Sequence, residues 1–262
     1  MNRKDNDLKI DYDINDIEVP IIISAIHGGH EIRPDVLEKI AISDMDRLRE
    51  EDPYTEYFTD LSPNRIVVHT SRFEIDINRR RHESVYRSPE DAWGLDVLKK
   101  SLTSEQVSRS LAEYDSFYRN MDAIFQDFFK KHDRIFVLDI HSYNHHRLGK
   151  HASFDDPEKN PEIIVGTTAM DPQNMFIADE LQNAFKEYQF LGRKLDVRKN
   201  IKYPGGSFPR TFNKKYKDKI CCIGLEFKKF FMDEWTGEIY QEEYQELKKA
   251  LKAAVERVRP II

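Results

Sequence analysis

The apolar positions of the chain fall into short unbroken runs, separated by stretches with a helical period. Residues 19–26 (VPIIISAI) form a continuous apolar run, the signature of a parallel strand buried on both faces. Residues 65–70 (RIVVHT) and 134–140 (RIFVLDI) predict two more strands. Residues 162–165 predict a short fourth, 194–198 an edge strand, and 219–227 (KICCIGLEF) the last. Between them, 104–131 carries Val107, Leu111, Tyr114, Phe117, Met121, Phe125 and Phe128 at three- and four-residue spacing, the stripe of a helix packed on a sheet. Residues 174–188 and 241–258 predict two further helices. A short one is expected over 53–61, with Asp52 as its N-cap and Pro53 at the first helical position. This alternation predicts an α/β fold of three α/β/α layers around a mostly parallel or mixed sheet. The absence of repeats, linkers or composition shifts makes residues 1–262 one domain. Four stretches, 27–45, 79–101, 144–161 and 200–207, remain as long loops, and long loops in a compact domain are often functional.

Composition narrows the class. The 262 residues are 39% hydrophobic and 34% charged, with 16 Phe and 12 Tyr, enough to fill a sizeable core. The net charge of −6 argues against a nucleic-acid partner. No apolar run is long enough to span a membrane, and residues 1–11 are charged and lack the apolar stretch of a signal peptide. A cytoplasmic location is therefore expected. Oligomeric state is left open. The neighbouring Cys221 and Cys222 would point to opposite faces of a strand, as small buried residues rather than a redox pair.

In an open α/β sheet, ligands gather beyond the carboxyl ends of the strands. The first predicted strand delivers His27, Gly28, Gly29, His30 and Glu31 there. The second leads into Arg72, Asp76, Asn78, Arg79 and Arg80; the third delivers Asp139, His141, Ser142 and Tyr143; the last delivers Glu226. A lone histidine at a strand end is usually structural. Two of them in one sheet point to a metal, since neutral imidazole is the commonest zinc ligand and a catalytic zinc takes three protein ligands. The third ligand stays open between Glu56, near the start of the short helix, and His30, in His-x-x-His spacing with His27. Glu31 stands next to the second candidate. Gly28 and Gly29 are expected to make a tight turn that leaves room for substrate.

The segments VPIIISAIHGG, SRFEIDINRR, VLDIHS, IIVGTT, YPGGSFPRTF and IGLEF, spread over residues 19–227, resemble the ordered motifs of the N-formylglutamate amidohydrolase family. Asp-x-Asn-Arg and His-Ser-Tyr with a late Glu are also similar to zinc carboxypeptidases and aspartoacylases, which implies a phosphorylase/hydrolase-like fold. The resemblance makes His27 and His141 ligands of zinc or another divalent metal, favours Glu56 over His30 as the third, and makes Glu226 the general base. It assigns Arg72, Asn78, Arg79, Gly205, Gly206 and Arg210 to substrate binding, with Asp76 buttressing the arginines and Arg79 or Arg210 facing the oxyanion. The activity implied is removal of a formyl-like acyl group from an acidic amino acid, so the partner is a small anionic N-acyl amino acid. A carboxypeptidase-like or aminoacylase-like amidohydrolase is the second reading. A non-catalytic metal-binding or regulatory protein on the same fold is the third. Residues 82–103, which match the family poorly, are expected to shape the pocket mouth.

Overall fold

A computed structural model describes residues 2–4, as backbone, and 8–262. The stretch 1–11, expected to carry no leader, lies in part outside the described residues. The strands are β1 (Asn2–Lys4), β2 (Ile10–Ile14), β3 (Ile21–Ala25), β4 (Asn64–Val68), β5 (Ile135–Tyr143), β6 (Ile163–Gly166), β7 (Val197–Lys199) and β8 (Ile220–Lys228). They form one mixed sheet in the order β1-β2-β4-β3-β5-β8-β6-β7. The central four, β4-β3-β5-β8, run parallel, while β2 joins β4, and β6 joins β8, antiparallel. The apolar runs mark the centre for a physical reason: all five residues of β3 and all nine of β5 are buried, because helices cover both faces.

The helices are α1 (Pro34–Leu37), α2 (Asp44–Glu50), α3 (Ser104–Phe128), α4 (Met175–Glu187), α5 (Ser207–Tyr216) and α6 (Gln241–Val258). Alternation along β5 separates two cores. Phe136, Leu138 and Ile140 pack with α4 and α6 residues such as Leu181 and Leu251. Ile135 and Val137 pack with Phe117, Phe125, Phe208 and Phe212 of α3 and α5. This is the expected three-layer arrangement. Cys221 belongs to the first core and Cys222 to the second, both as free thiols. A Thr103 capping box starts α3, so the long amphipathic helix begins where the Thr-x-x-Gln spacing places it.

Three expectations change. The sequence pattern does not predict β1, β2, α1, α2 or α5; α1 lies inside the stretch 27–45 expected as a loop, and α2 and α5 fall at the ends of such stretches. The helix expected from Pro53 is a 3-10 run, Thr55–Leu61, entered through Tyr54 in the left-handed region at φ 70°. Asp52 does not cap it through its side chain: its backbone carbonyl accepts from Thr55 Oγ1 at 2.6 Å, which leaves the carboxylate free for other work. No described helix is long and apolar enough to cross a membrane.

Candidate metal centre and active site

Because β4, β3, β5 and β8 are parallel, their carboxyl ends open at one edge of the sheet. His27 follows β3, and His141 and Glu226 lie on the last turns of β5 and β8, opposite each other in register. Paired positions on neighbouring strands point to the same face about 5 Å apart. Asp52 is brought in by the chain leaving α2, where its N–H donates to the His27 carbonyl at 3.0 Å. Nitrogens of His27 and His141 and an oxygen of Asp52 then all lie within 4.8 Å of one another, and all three residues are buried.

The hydrogen bonds around this trio test whether it suits a metal. His27 Nε2 donates to Asp76 Oδ1 at 2.8 Å, and His141 Nε2 donates to Asp139 Oδ2 at 2.7 Å. Each ring thus commits one nitrogen to a carboxylate behind it, the arrangement that orients histidine ligands and fixes their tautomer. The other nitrogens face Asp52: Nδ1 of His141 at 2.9 Å and Nδ1 of His27 at 3.6 Å. Lone pairs on both sides of that gap call for positive charge between them, from protons or from a cation. Without a cation, His141 is driven to hold a proton: burial disfavours its charge, but Asp139 and Asp52 outweigh burial and raise its pKa well above the ordinary value. Burial likewise opposes ionisation of Asp52, and hydrogen bonds from both histidines overcome it, so its pKa falls. The donor set, two imidazoles and a carboxylate with second carboxylates behind the rings, fits a divalent metal of the zinc type.

Asp76 is the hub beside this centre. Besides His27 it accepts from Arg72 Nη2 at 2.8 Å, from the Asn78 N–H at 3.0 Å and from the Tyr86 hydroxyl. Asp76 therefore buttresses the arginines, as expected, and also a histidine. Arg72 also donates to Tyr86 and to the Glu50 carbonyl, lies over the Trp93 ring at 4.8 Å, and stands as a fixed charge. Arg79 lies 3.4 Å from Asp76, over the Tyr86 ring at 4.7 Å, with both terminal nitrogens without a hydrogen-bond partner among the described residues. Burial pushes Glu226 from 4.5 up to about 7, with His141 pulling in the other direction.

These groups line one cleft of about 240 Å³, together with Trp93, Tyr143, Arg147, Tyr203, Gly205 and Lys229. Of the sequence-derived site residues, His27, Arg72, Asn78, Arg79, His141, Gly205, Gly206 and Glu226 all line it. Asn78 also holds the fold together here, because its Oδ1 accepts from Phe208 N at 3.0 Å and so caps α5. A Cβ on Gly206 would stand 2.2 Å from Asn78 Oδ1, which is why that position has no side chain. Of the 82–103 stretch, expected to shape the mouth, Trp93 lines the cleft.

Other expectations are corrected. Glu56 does not meet the two imidazoles; it turns to the backbone of Gly28, where burial raises its pKa and its Oε2 has no partner. His30 is turned away, with Nδ1 on Glu51 at 2.5 Å and Nε2 facing Arg47 at 3.0 Å. Glu31 pairs with Lys9. Arg210 does not border the cleft; its Nε points to Thr168 Oγ1 at 3.4 Å, because the first turn of α5 directs it behind the glycine loop. Gly28 and Gly29 do not make room for substrate. A Cβ on Gly29 would lie 2.3 Å from the His69 backbone, so this glycine lets two chain segments touch. Sequence reasoning missed Asp52, Arg147 and Lys229. Asp52 was visible as an acid between α2 and Pro53, but the cap reading claimed it.

Comparison with known proteins bears on the fold and the family. The crystal structure of an N-formylglutamate amidohydrolase from Ralstonia eutropha JMP134 superposes with a TM-score of 0.74 at 15% identity, over 93% of this chain and 94% of that one. A gene product of Agrobacterium tumefaciens superposes with a TM-score of 0.63 at 16% identity, over 97% and 96%. At such identities the likeness shows the fold alone. No curated protein sequence matches the chain. The family model for N-formylglutamate amidohydrolase matches residues 19–232, which include every residue of the trio and Glu226. The chain belongs to the N-formylglutamate amidohydrolase family and is, as a member of it, a hydrolase of amide bonds.

Proposed function

We propose that the chain is a zinc-dependent amidohydrolase that removes a small formyl-like acyl group from an acidic amino acid such as glutamate. The observation that carries this reading is the convergence of His27, Asp52 and His141 on one point, with Glu226 in register beside His141 and arginines around the same cleft. The residues that would hold zinc are these three, and zinc there supplies Lewis acidity and a more acidic water. Asp76 and Asp139 keep both imidazoles in the tautomer that leaves Nδ1 free. Glu226 takes the proton of the attacking water and passes it to the leaving nitrogen. Arg72, locked by Asp76, Tyr86 and the Glu50 carbonyl, presents charge where the oxyanion develops; a donor already fixed in place needs no reorganisation during the reaction. Arg79, whose terminal nitrogens are unengaged, holds a substrate carboxylate through its planar fork.

The test is a panel of N-formyl, N-acetyl and N-succinyl derivatives of glutamate and of neutral amino acids, offered to the zinc-loaded protein. The expected result is fastest release from N-formylglutamate, lost on chelation and restored by zinc. Absence of hydrolysis of every panel member by fully loaded protein would end the reading.

A further inference from the structure

Among the groups lining the cleft, Lys229 has no role in the chemistry described above and makes no direct ion pair among the described residues. The residue directly after β8 and three past Glu226, it is 1% exposed. Its Nζ donates to the carbonyls of Arg49 and Glu51, both at 2.7 Å. An ammonium has three donors. The third has no protein acceptor among the described residues, and no described carboxylate pairs with this cation. Burial disfavours its charge more than the nearby Asp52, Glu50 and Glu234 favour it, and an anion that enters beside it relieves that cost.

The same short segment positions a second cation. Glu50, between the two carbonyls that hold Lys229, grips Arg147 Nη1 with both carboxylate oxygens at 2.8 and 2.7 Å. Glu50 is already shared with Arg49 Nη1 at 2.8 Å and Asn144 Nδ2 at 3.3 Å, so it makes no direct ion pair with Lys229, and together with Asp52 and Glu234 it acts on that cation only from a distance. Arg147 keeps Nε and Nη2 without a partner among the described residues, and its side chain is 31% exposed on the cleft. Arg79 reaches the cleft from beyond β4, and Arg147 and Lys229 from beyond β5 and β8. The guanidinium carbons of Arg79 and Arg147 lie 5.6 and 5.7 Å from the centre of the same Trp93 ring, and so no more than about 11 Å apart. The two carboxylate carbons of a glutamate are about 5 Å apart, and each accepts hydrogen bonds of about 2.8 Å from its cation. A dicarboxylate is therefore long enough to span the two sides.

We propose that Lys229 and Arg147 form an anion pocket for the side-chain carboxylate of the substrate, and that this pair makes the enzyme select dicarboxylic over neutral amino acids. The inference rests on the amidohydrolase reading for the substrate it names. It assigns the two residues to specificity, not to bond cleavage.

The experiment compares wild type, Lys229→Met and Arg147→Gln, all zinc-loaded, on N-formylglutamate and its neutral isostere N-formylglutamine. Binding of free L-glutamate and L-glutamine is measured alongside by calorimetry. The wild type should prefer N-formylglutamate by at least ~100-fold in kcat/KM, because a neutral amide leaves the buried cation unpaired. Each variant should cut that ratio at least ~10-fold, chiefly through KM. Equal losses on both substrates would mean that Lys229 only staples the segment bearing Asp52, and would overturn the proposal. Arg147→Gln alters a partly exposed residue and reports even where Lys229→Met fails to fold. If wild type hydrolyses neither compound, the amidohydrolase reading falls, and calorimetry still decides the pocket. A preference for L-glutamate that Arg147→Gln abolishes would support it, and equal affinity of wild type for both amino acids would refute it.

Discussion

Replacing Glu226 by Gln keeps the size of the side chain and removes only its capacity to accept a proton. The structure sets what should follow. Glu226 faces the cleft in register with His141, yet it is not one of the three residues that converge as ligands, so metal content should remain that of wild type. Burial already disfavours its charge, and a neutral amide at this site should leave the denaturation midpoint unchanged or slightly higher. The chemical step is different. A positioned general base contributes ~10²–10⁴-fold, which is about 3–5 kcal/mol of barrier. That loss should appear equally in kcat and kcat/KM, since the proton moves only in the transition state. The pH profile gives a second measure. The base works ionised, so kcat/KM of wild type should fall as pH drops through its pKa. Burial places that pKa as high as about 7, and a dication beside it would draw it back towards 4.5. The acid limb should lie in that interval, and Glu226→Gln should flatten it. The assay is release of free amino acid from N-formylglutamate across pH, with metal content measured on the same samples. A folded, zinc-loaded Glu226→Gln protein within a few-fold of wild type would refute the assignment, and the base would then be sought elsewhere on the cleft.

Two further outcomes are expected. Asp52→Asn should lose most bound zinc while Glu56→Gln keeps it, because only Asp52 meets both imidazoles; elemental analysis giving the reverse would restore Glu56 as the third ligand. Away from the site, Glu113 and Glu74 share the buried Arg33 Nη1, at 3.2 and 3.0 Å. Burial, and then Glu74, push Glu113 from 4.5 up to about 8. A folded pKa above the unfolded one means stability that is complete below 4.5 and is lost as pH rises through about 8. Glu113→Gln should therefore raise the thermal midpoint more at about pH 8.5 than at about pH 5, and an equal effect at both would contradict the raised pKa.

Much of the fold is legible locally. Apolar runs such as IIISA and IFVLDI can be satisfied only as strands covered on both faces, and the stripe from Val107 to Phe128 only as a helix lying on them. Such periods are properties of neighbouring residues, so the chain declares them without its partners. The same is true of His27, His141 and Glu226, because a polar residue that ends an apolar strand must stand at the sheet edge where ligands collect. The family motifs added Arg72, Asn78 and Arg79 in the same way. What the chain could not declare alone is which distant groups meet. Asp52 and Glu56 are four residues apart and chemically alike. The left-handed turn at Tyr54 and the bond from Asp52 N to the His27 carbonyl send one carboxylate to the histidines and the other to Gly28. Arg147 and Lys229 lie in segments without a motif, and their shared hold on residues 49–51 exists only once α2 packs beside the ends of β5 and β8. Arg210 shows the converse. It sits in a matching motif, but one turn of α5 decides its direction and carries it behind the glycine loop. Side-chain direction and contacts between distant segments depend on tertiary packing, so the structure, and not local sequence, decided which carboxylate joins the two histidines and which cations line the cleft.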